Sequence, residues 1–399
     1  MKNKMYAALA AMVLATAAFA ADFPSYLKME GTKITGCDKD DIPDNLVISE
    51  GVTEIGEGAF SQCMYLESVV IPGSVKLIGK SAFSGCTSLK SVTLAGGVET
   101  IGDSMFKDCT SLESITIPVS VKTIGNNTFR GCKSLTSVTI PENVKKIGNY
   151  AFRDCTSLKS VTLSEGVETI GDSMFEDCTS LESVTIPGSV KTIGNYAFSG
   201  CTSLKSVTIS EGVTKICRGE FEGCTSLTSV TIPESVTEIG NSVFNGCTSL
   251  ASVTIPESVT EIGDSAFKGC KSLASITIPE SVTKIGDSAF RGSGLKTVTI
   301  PKGVKNISQY TFINCKSLES VTLSRGVTKI GYDAFQDCTS LKSVTIPRSV
   351  TEIGGYAFYK CDNLTVQYDG TKAQWEAIEK SSSGNYAVRC SDGEFNKQK

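Results

Sequence analysis

The 399-residue sequence predicts a solenoid: a curved rod of stacked coils with a parallel β-sheet along its concave side, and short strands and short helical or 3-10 turns on its other sides. Three observations predict it. Cysteine recurs every 23 residues from Cys63 to Cys270, then resumes the step at Cys315, Cys338 and Cys361 after a unit one residue short, at Gly292-Ser293-Gly294. Phenylalanine keeps the same beat at fourteen positions, from Phe60 to Phe358. Between these marks each unit alternates apolar and polar residues, the period of a strand with one face inward. A fixed period of this length marks a stack of units, none of which can bury a core alone.

The unit at 250–272 shows each element in turn. Leu250, Val253 and Ile255 follow the L-x-x-L-x-L spacing of a leucine-rich-repeat strand. Pro256 ends the strand because it has no N–H to give a ladder. Val259 and Ile262 turn back to the core. Gly263 has a glycine equivalent in twelve of fourteen units, with Cys217 and Ser308 the exceptions. A left-handed backbone would tolerate those two poorly, so this glycine is expected at a close-packing position. Asp264, before Ser265-Ala266-Phe267, reads as the N-cap of one short helical or 3-10 turn. Phe267 plugs the core and Cys270 closes the coil. At about 4.8 Å per coil, fourteen coils make an arc of roughly 65–70 Å.

The pattern L-x-x-V-x-I-P-x-x-V-x-x-I-G-x-x-A-F-x-x-C, carried here by Ile255-Pro256, Ile262-Gly263, Ala266-Phe267 and Cys270, resembles the BspA-like, or treponemal-type, leucine-rich repeat. The resemblance covers roughly 320 of the 399 residues. It implies a leucine-rich-repeat solenoid in a secreted or surface-displayed bacterial protein, several members of the family being regarded as adhesins. It carries over no catalytic residue.

Along the chain, residues 1–20 read as a signal peptide, with Lys2 and Lys4 ahead of an apolar run from Ala7 to Phe19 and cleavage after Ala20. That run is shorter than the ~20 residues of a membrane span, so no span is expected in the mature chain. Residues 21–45 are expected to form an N-terminal cap, with strands at Tyr26–Met29 and Lys33–Thr35 covering the open end of the core. Asp38, Asp40, Asp41 and Asp44 lack the turn glycine of a calcium loop and read as a solvated loop. Residues 46–368 hold the array of about fourteen repeats. Within it, 86–132 and 155–201 agree at 39 of 47 positions, so length has been varied by copying blocks of three coils. Residues 369–399 are the C-terminal cap and tail. A last array strand at Leu364–Tyr368 precedes them, a short helix over Thr371–Lys380 places Trp375 on the last coil, and Tyr386–Cys390 is a final strand.

Composition excludes several functions. Lys and Arg number 38 against 42 Asp and Glu, and the pI near 5.3 opposes nucleic-acid binding. Histidine is absent, which excludes Ser-His-Asp and Cys-His catalysis and histidine-ligated metal. No C-x-x-C pair suggests zinc. Neither an enzyme nor a cofactor is expected. Of sixteen cysteines, thirteen share one equivalent position and are expected as buried free thiols, since their Cβ vectors run parallel. Cys37, Cys217 and Cys390 stand outside the column, and Cys37 and Cys390 leave room for a cap disulfide.

The exposed strand positions are the candidate binding surface. One column holds Thr93, Thr116, Thr162, Thr185 and Thr208; a second holds Ser91 and Ser160 two residues earlier; beside them a variable column holds Lys90, Glu113, Lys159, Glu182 and Lys205. Threonine also suits a solvated pleated face simply because it is β-branched and pairs with itself across strands. Regular threonine columns suit ice binding too, but a curved sheet does not. Tyr150, Tyr196, Tyr310 and Tyr356 are expected to pack over the turns. The sequence thus points to a secreted or cell-surface bacterial adhesin or interaction scaffold. Its partner would be a protein or glycan, from host matrix or another bacterial surface. A self-associating structural envelope or matrix protein is the alternative.

Overall fold

The computed structural model describes residues 23–381 and 386–395; the expected signal peptide and the last four residues lie outside them. The chain winds as a parallel β-solenoid with almost no helix. On one face, strands such as Ser160–Leu163, Ser183–Ile186 and Ser206–Ile209 lie side by side, with Val184 opposite Val207 and Thr185 opposite Thr208. Val184 and Ile186 are buried while Ser183 and Thr185 are exposed, the alternation the sequence predicts. This main sheet runs in three stretches, from Asn45 to Ile115, Ser137 to Thr254 and Thr297 to Phe395. A narrower second ladder is built of two-residue strands such as Thr192–Ile193 and Glu261–Ile262.

The third side corrects the sequence reading. No helix or 3-10 turn forms between Gly263 and Cys270, or at its equivalents among the described residues. Instead Ser265 and Gly269 are left-handed, with φ of 55° and 72°, and the equivalents of Ser265 from Gly58 to Tyr356 are left-handed in every coil. Two such residues per corner turn alternate amides along the rod. Ser265, Phe267 and Gly269 donate to the carbonyls of Asp287, Ala289 and Arg291 at 2.7–2.8 Å. A helical turn would spend those amides inside its own coil. Asp264 is accordingly a rung between coils and not an N-cap. Its Oδ1 accepts from the Asp287 amide at 2.9 Å, and its own amide donates to Asn241 Oδ1 at 2.9 Å. Gly263 is not left-handed; a Cβ there would lie 2.6 Å from the Gly240 carbonyl carbon and from Asn241 Oδ1, so close approach of the next coil selects glycine.

Two columns run through a core otherwise made mainly of Leu, Val and Ile. From Phe60 to Phe358 each buried ring stacks on the next, with centroids 5.1–5.7 Å apart. Rings offset along their stack reach that spacing on coils about 4.8 Å apart. Beside the rings run the cysteines, all free thiols. Cys86 Sγ donates to the Phe60 carbonyl at 3.1 Å, and the same bond recurs up to Cys361 and Phe335.

Both ends are covered. Strands β1 (Leu27–Glu30) and β2 (Lys33–Cys37) form an antiparallel hairpin, and Ile34 of β2 continues the second ladder beside Ile55. At the far end helix α1 (Lys372–Glu376) is closed by a capping box between Thr371 and Gln374, and buries Trp375 against Tyr368 at 5.2 Å. It is shorter than the sequence suggests because Glu379–Lys380 leaves it to pair with Glu352–Ile353. Strand Ala387–Cys390 joins in parallel, and Gly393–Phe395 ends the sheet running the other way. No described helix is long and apolar enough to cross a membrane.

Candidate functional site

The strand positions singled out in the sequence come together on the main sheet. Ser160 lies opposite Ser183, Ser183 opposite Ser206, and Thr185 opposite Thr208. Ser91 opens a strand paired with Ser114, and Thr93 lies opposite Val70. Thr93, Thr116, Ser160, Thr162, Thr185 and Thr208 are exposed, as are Lys90, Glu113, Lys159, Glu182 and Lys205; Ser91 is half-buried. The pleat produces this: Val and Ile on either side of each hydroxyl residue face the core.

What distinguishes these hydroxyls is that the fold does not use them. Those of Ser160, Thr162, Thr185 and Thr208 make no hydrogen bond to a described residue. Several hydroxyls on the other sides are committed between coils. Ser258 Oγ donates to the Val236 carbonyl at 2.6 Å, Ser281 to Val259 at 2.7 Å, and Thr260 to Thr237 at 3.4 Å. The main face therefore presents rows of O–H groups, about one coil spacing apart, that can both donate and accept.

The variable column is less charged than its composition suggests. Lys90 pairs with Glu67 at 2.8 Å, Lys205 with Glu182 at 3.0 Å and Lys342 with Glu319 at 2.8 Å. The hydrogen bond it donates to Glu67 holds the Lys90 ammonium above the usual lysine range, and the one accepted from Lys342 holds the Glu319 carboxyl below its own. All are exposed, where solvent screens such pairs and leaves them little effect on stability. Glu113 and Lys159 have no ion-pair partner among the described residues. The second ladder neutralises itself in the same way, as in Lys122 with Glu99 and Lys329 with Glu352.

Two depressions on this face were not singled out in the sequence. Between Thr254 and Thr297 the main sheet lapses, and Ser275–Ile278 joins no ladder. A hollow of about 470 Å³ opens there, lined by Ser275, Thr277, Thr297 and Thr299 with Glu257 and Glu280 at its rim. The one-residue deletion at Gly292-Ser293-Gly294 is the signal that could have located it. A second hollow of about 580 Å³, near the C-terminal end, is lined by Arg325, Gln367, Tyr368, Asp369 and Arg389.

Comparison with known proteins gives the chain its relatives. The model of the BspA type leucine-rich repeat region matches over residues 41–156, 122–251 and 237–365. A leucine-rich repeat protein from Bacteroides ovatus is 28% identical, superposes with a TM-score of 0.68, and is covered in full by 87% of this chain. A leucine-rich cell surface protein from Faecalibacterium prausnitzii is also 28% identical, with a TM-score of 0.53 over 91% of this chain and all of its own. The pneumococcal vaccine antigen PcpA shares the fold at 21% identity and a TM-score of 0.55, over 89% of this chain and 91% of its own. No curated protein matches.

Proposed function

The chain belongs to the BspA-type leucine-rich repeat family, and from that premise we propose that it is an exported, surface-acting binding protein. It holds an extended protein or glycan partner against the concave face of its main sheet. The observation that carries this reading is the contrast between hydroxyls: those of Ser160, Thr162, Thr185 and Thr208 on the main face are unused, while those of Ser258, Ser281 and Thr260 on other sides tie coil to coil. A solenoid built only to stand would gain by committing them all. Free hydroxyls repeating at strand spacing suit a partner that is itself periodic, such as an extended peptide or a polysaccharide. Export follows from the signal peptide expected at residues 1–20, and a cell-surface protein stands among the structural relatives. The covered ends argue against growth by axial stacking of one rod on the next.

The test is a panel of immobilised fibrillar matrix proteins and bacterial cell-wall polysaccharides. The chain is expected to bind at least one. Removing the hydroxyls with Thr162→Ala, Thr185→Ala and Thr208→Ala, together with Lys159→Glu, is expected to weaken that binding at least tenfold. These residues are exposed, so melting should shift by less than ~1 kcal/mol. Reversing Lys107 and Lys268 on the turn corner should leave binding alone. The opposite pattern, loss from the corner set and none from the sheet set, would place the surface on the other side of the rod.

A further inference from the structure

The cysteine column ends differently from the way it runs. From Cys86 to Cys361 each thiol donates to the carbonyl of the phenylalanine one coil back, 25 or 26 residues earlier. Cys63 has no phenylalanine carbonyl in that place. The residue 26 positions earlier is Cys37, the last residue of β2, and its Sγ lies 3.3 Å from Cys63 Sγ. Both side chains are buried, and the antiparallel pairing of Cys37 with Leu27, with Ile34 held beside Ile55, sets one sulfur over the other. Closing a disulfide needs a shift of about 1.2 Å, to the ~2.05 Å of an S–S bond.

We propose that Cys37 and Cys63 are a cystine-forming site that fastens the N-terminal hairpin to the first coil when the chain folds in the presence of a disulfide donor. The thiolate of one cysteine attacks the donor's disulfide, displacing one donor sulfur as a thiolate and leaving a mixed disulfide. The thiolate of the other attacks the protein sulfur of that bond and displaces the second donor sulfur. The two protein thiols give up two protons and two electrons, and the donor leaves fully reduced. The exchange belongs to the stage before the hairpin closes. In the folded chain the hydrogen bond with Cys63, and then burial, hold the Cys37 thiol far above the usual range. Cys63, though its bond with Cys37 draws it down, is pushed up to about 12 by its bond with Cys86 and by burial. The same burial shields the finished bond from reductants. The twelve thiols from Cys86 onward have their hydrogens engaged by carbonyls, which leaves the terminal pair as the place where the column can be closed covalently.

The test folds the full chain in a mixture of oxidised and reduced glutathione, blocks thiols at acid pH with N-ethylmaleimide, and maps the tryptic peptides. In most molecules, peptide 34–39 should be joined to peptide 40–76, lighter than the two together by two hydrogens. After denaturation fourteen thiols should react, two fewer than the sixteen in the sequence. Cys37→Ser should abolish the joined peptide and raise the count to fifteen; Cys390→Ser should keep the joined peptide and lower the count to thirteen. The chain folded in dithiothreitol should be cut within residues 23–47 at least about tenfold faster than the chain folded in the glutathione mixture, and Cys37→Ser should show no such difference. Alkylation of both Cys37 and Cys63 after oxidative folding, or a link from Cys63 to Cys86 in place of Cys37, would overturn the assignment.

Discussion

Two coils of this rod, two turns apart, solve the same corner differently. In one, Ile262-Gly263-Asp264-Ser265-Ala266-Phe267, the second ladder is continuous, Gly263 admits the neighbouring backbone and Asp264 carries its rung. In the other, Ile216-Cys217-Arg218-Gly219-Glu220-Phe221, four successive positions change. The second ladder stops at Ile193 and resumes at Glu238, bridged only by the isolated pair of Ile216 with Ile239. The Cys217 amide, which as a glycine would donate to the coil before, turns to Glu220 Oε2 at 3.2 Å. Arg218 has no side-chain oxygen to offer Asn241; its guanidinium lies over Tyr196, whose ring covers Gly219. Glu220 takes an alanine's place, fully buried, with Oε1 unpartnered, and burial pushes its carboxyl up to about 8. Yet the columns run through unbroken: Phe221 stacks at 5.7 Å on both neighbours and Cys224 keeps its bond to the Phe198 carbonyl. Stacked rings, thiols and the unbroken main sheet carry the rod past a coil whose second ladder has failed.

The sharpest way to break this comparison is to remove a ring on each side. Phe267→Ala and Phe221→Ala should each cost about 3–5 kcal/mol. With the second ladder already interrupted there, loss of Phe221 leaves only the main sheet and the corner amides to couple the halves and should split chemical denaturation into two transitions, while Phe267→Ala keeps one. Single transitions in both would deny that the irregular coil is a seam. A smaller effect comes from Glu220. Its folded pKa lies above the ordinary value, so its stabilisation is complete below about pH 4.3 and is lost as pH rises through 8. Between pH 6 and 8 the chain should lose about 2–3 kcal/mol relative to Glu220→Gln. A parallel course for the two proteins would show that Glu220 is not held neutral. The smallest change is Arg218→Asn, which supplies an oxygen to the Asn241 amide and should add about 0.5–1.5 kcal/mol. Thermal melts are enough to detect it, and a loss would mean that the stack of Arg218 on Tyr196 outweighs the rung.

Most of the architecture was legible because it is periodic. The inward Val184 and Ile186, the Phe and Cys columns, and the tight approach at Gly263 all follow from positions 23 apart. The corner was misread because an aspartate before a small residue looks the same whether its oxygen caps its own turn or reaches an amide 23 residues away, as Asp264 does to Asp287. Left-handed Ser265 carries no mark of its own, since serine and tyrosine fill that place as readily as glycine. On the candidate face, the rows of Ser and Thr were visible, but their freedom was not, because it depends on which hydroxyls other coils consume. The pairing of Glu182 with Lys205 was likewise hidden in a column that seemed merely mixed.

The direction of the bonds has a mechanical consequence. Strands lie across the rod, so the hydrogen bonds that join coils run along it, as from Phe267 to Ala289 and from Gly263 to Ile239. A pull on the two ends loads these bonds in the opening direction, one interface after another, and never shears many at once. Coils should therefore peel singly. Each one trades about 5 Å of rod for 23 residues of extended chain, lengthening the tether by about 70–80 Å. Single-molecule stretching should show a sawtooth of that spacing, at low force, repeated for as many coils as remain. A surface protein built this way would yield under shear by paying out line before its anchor or its grip gives way.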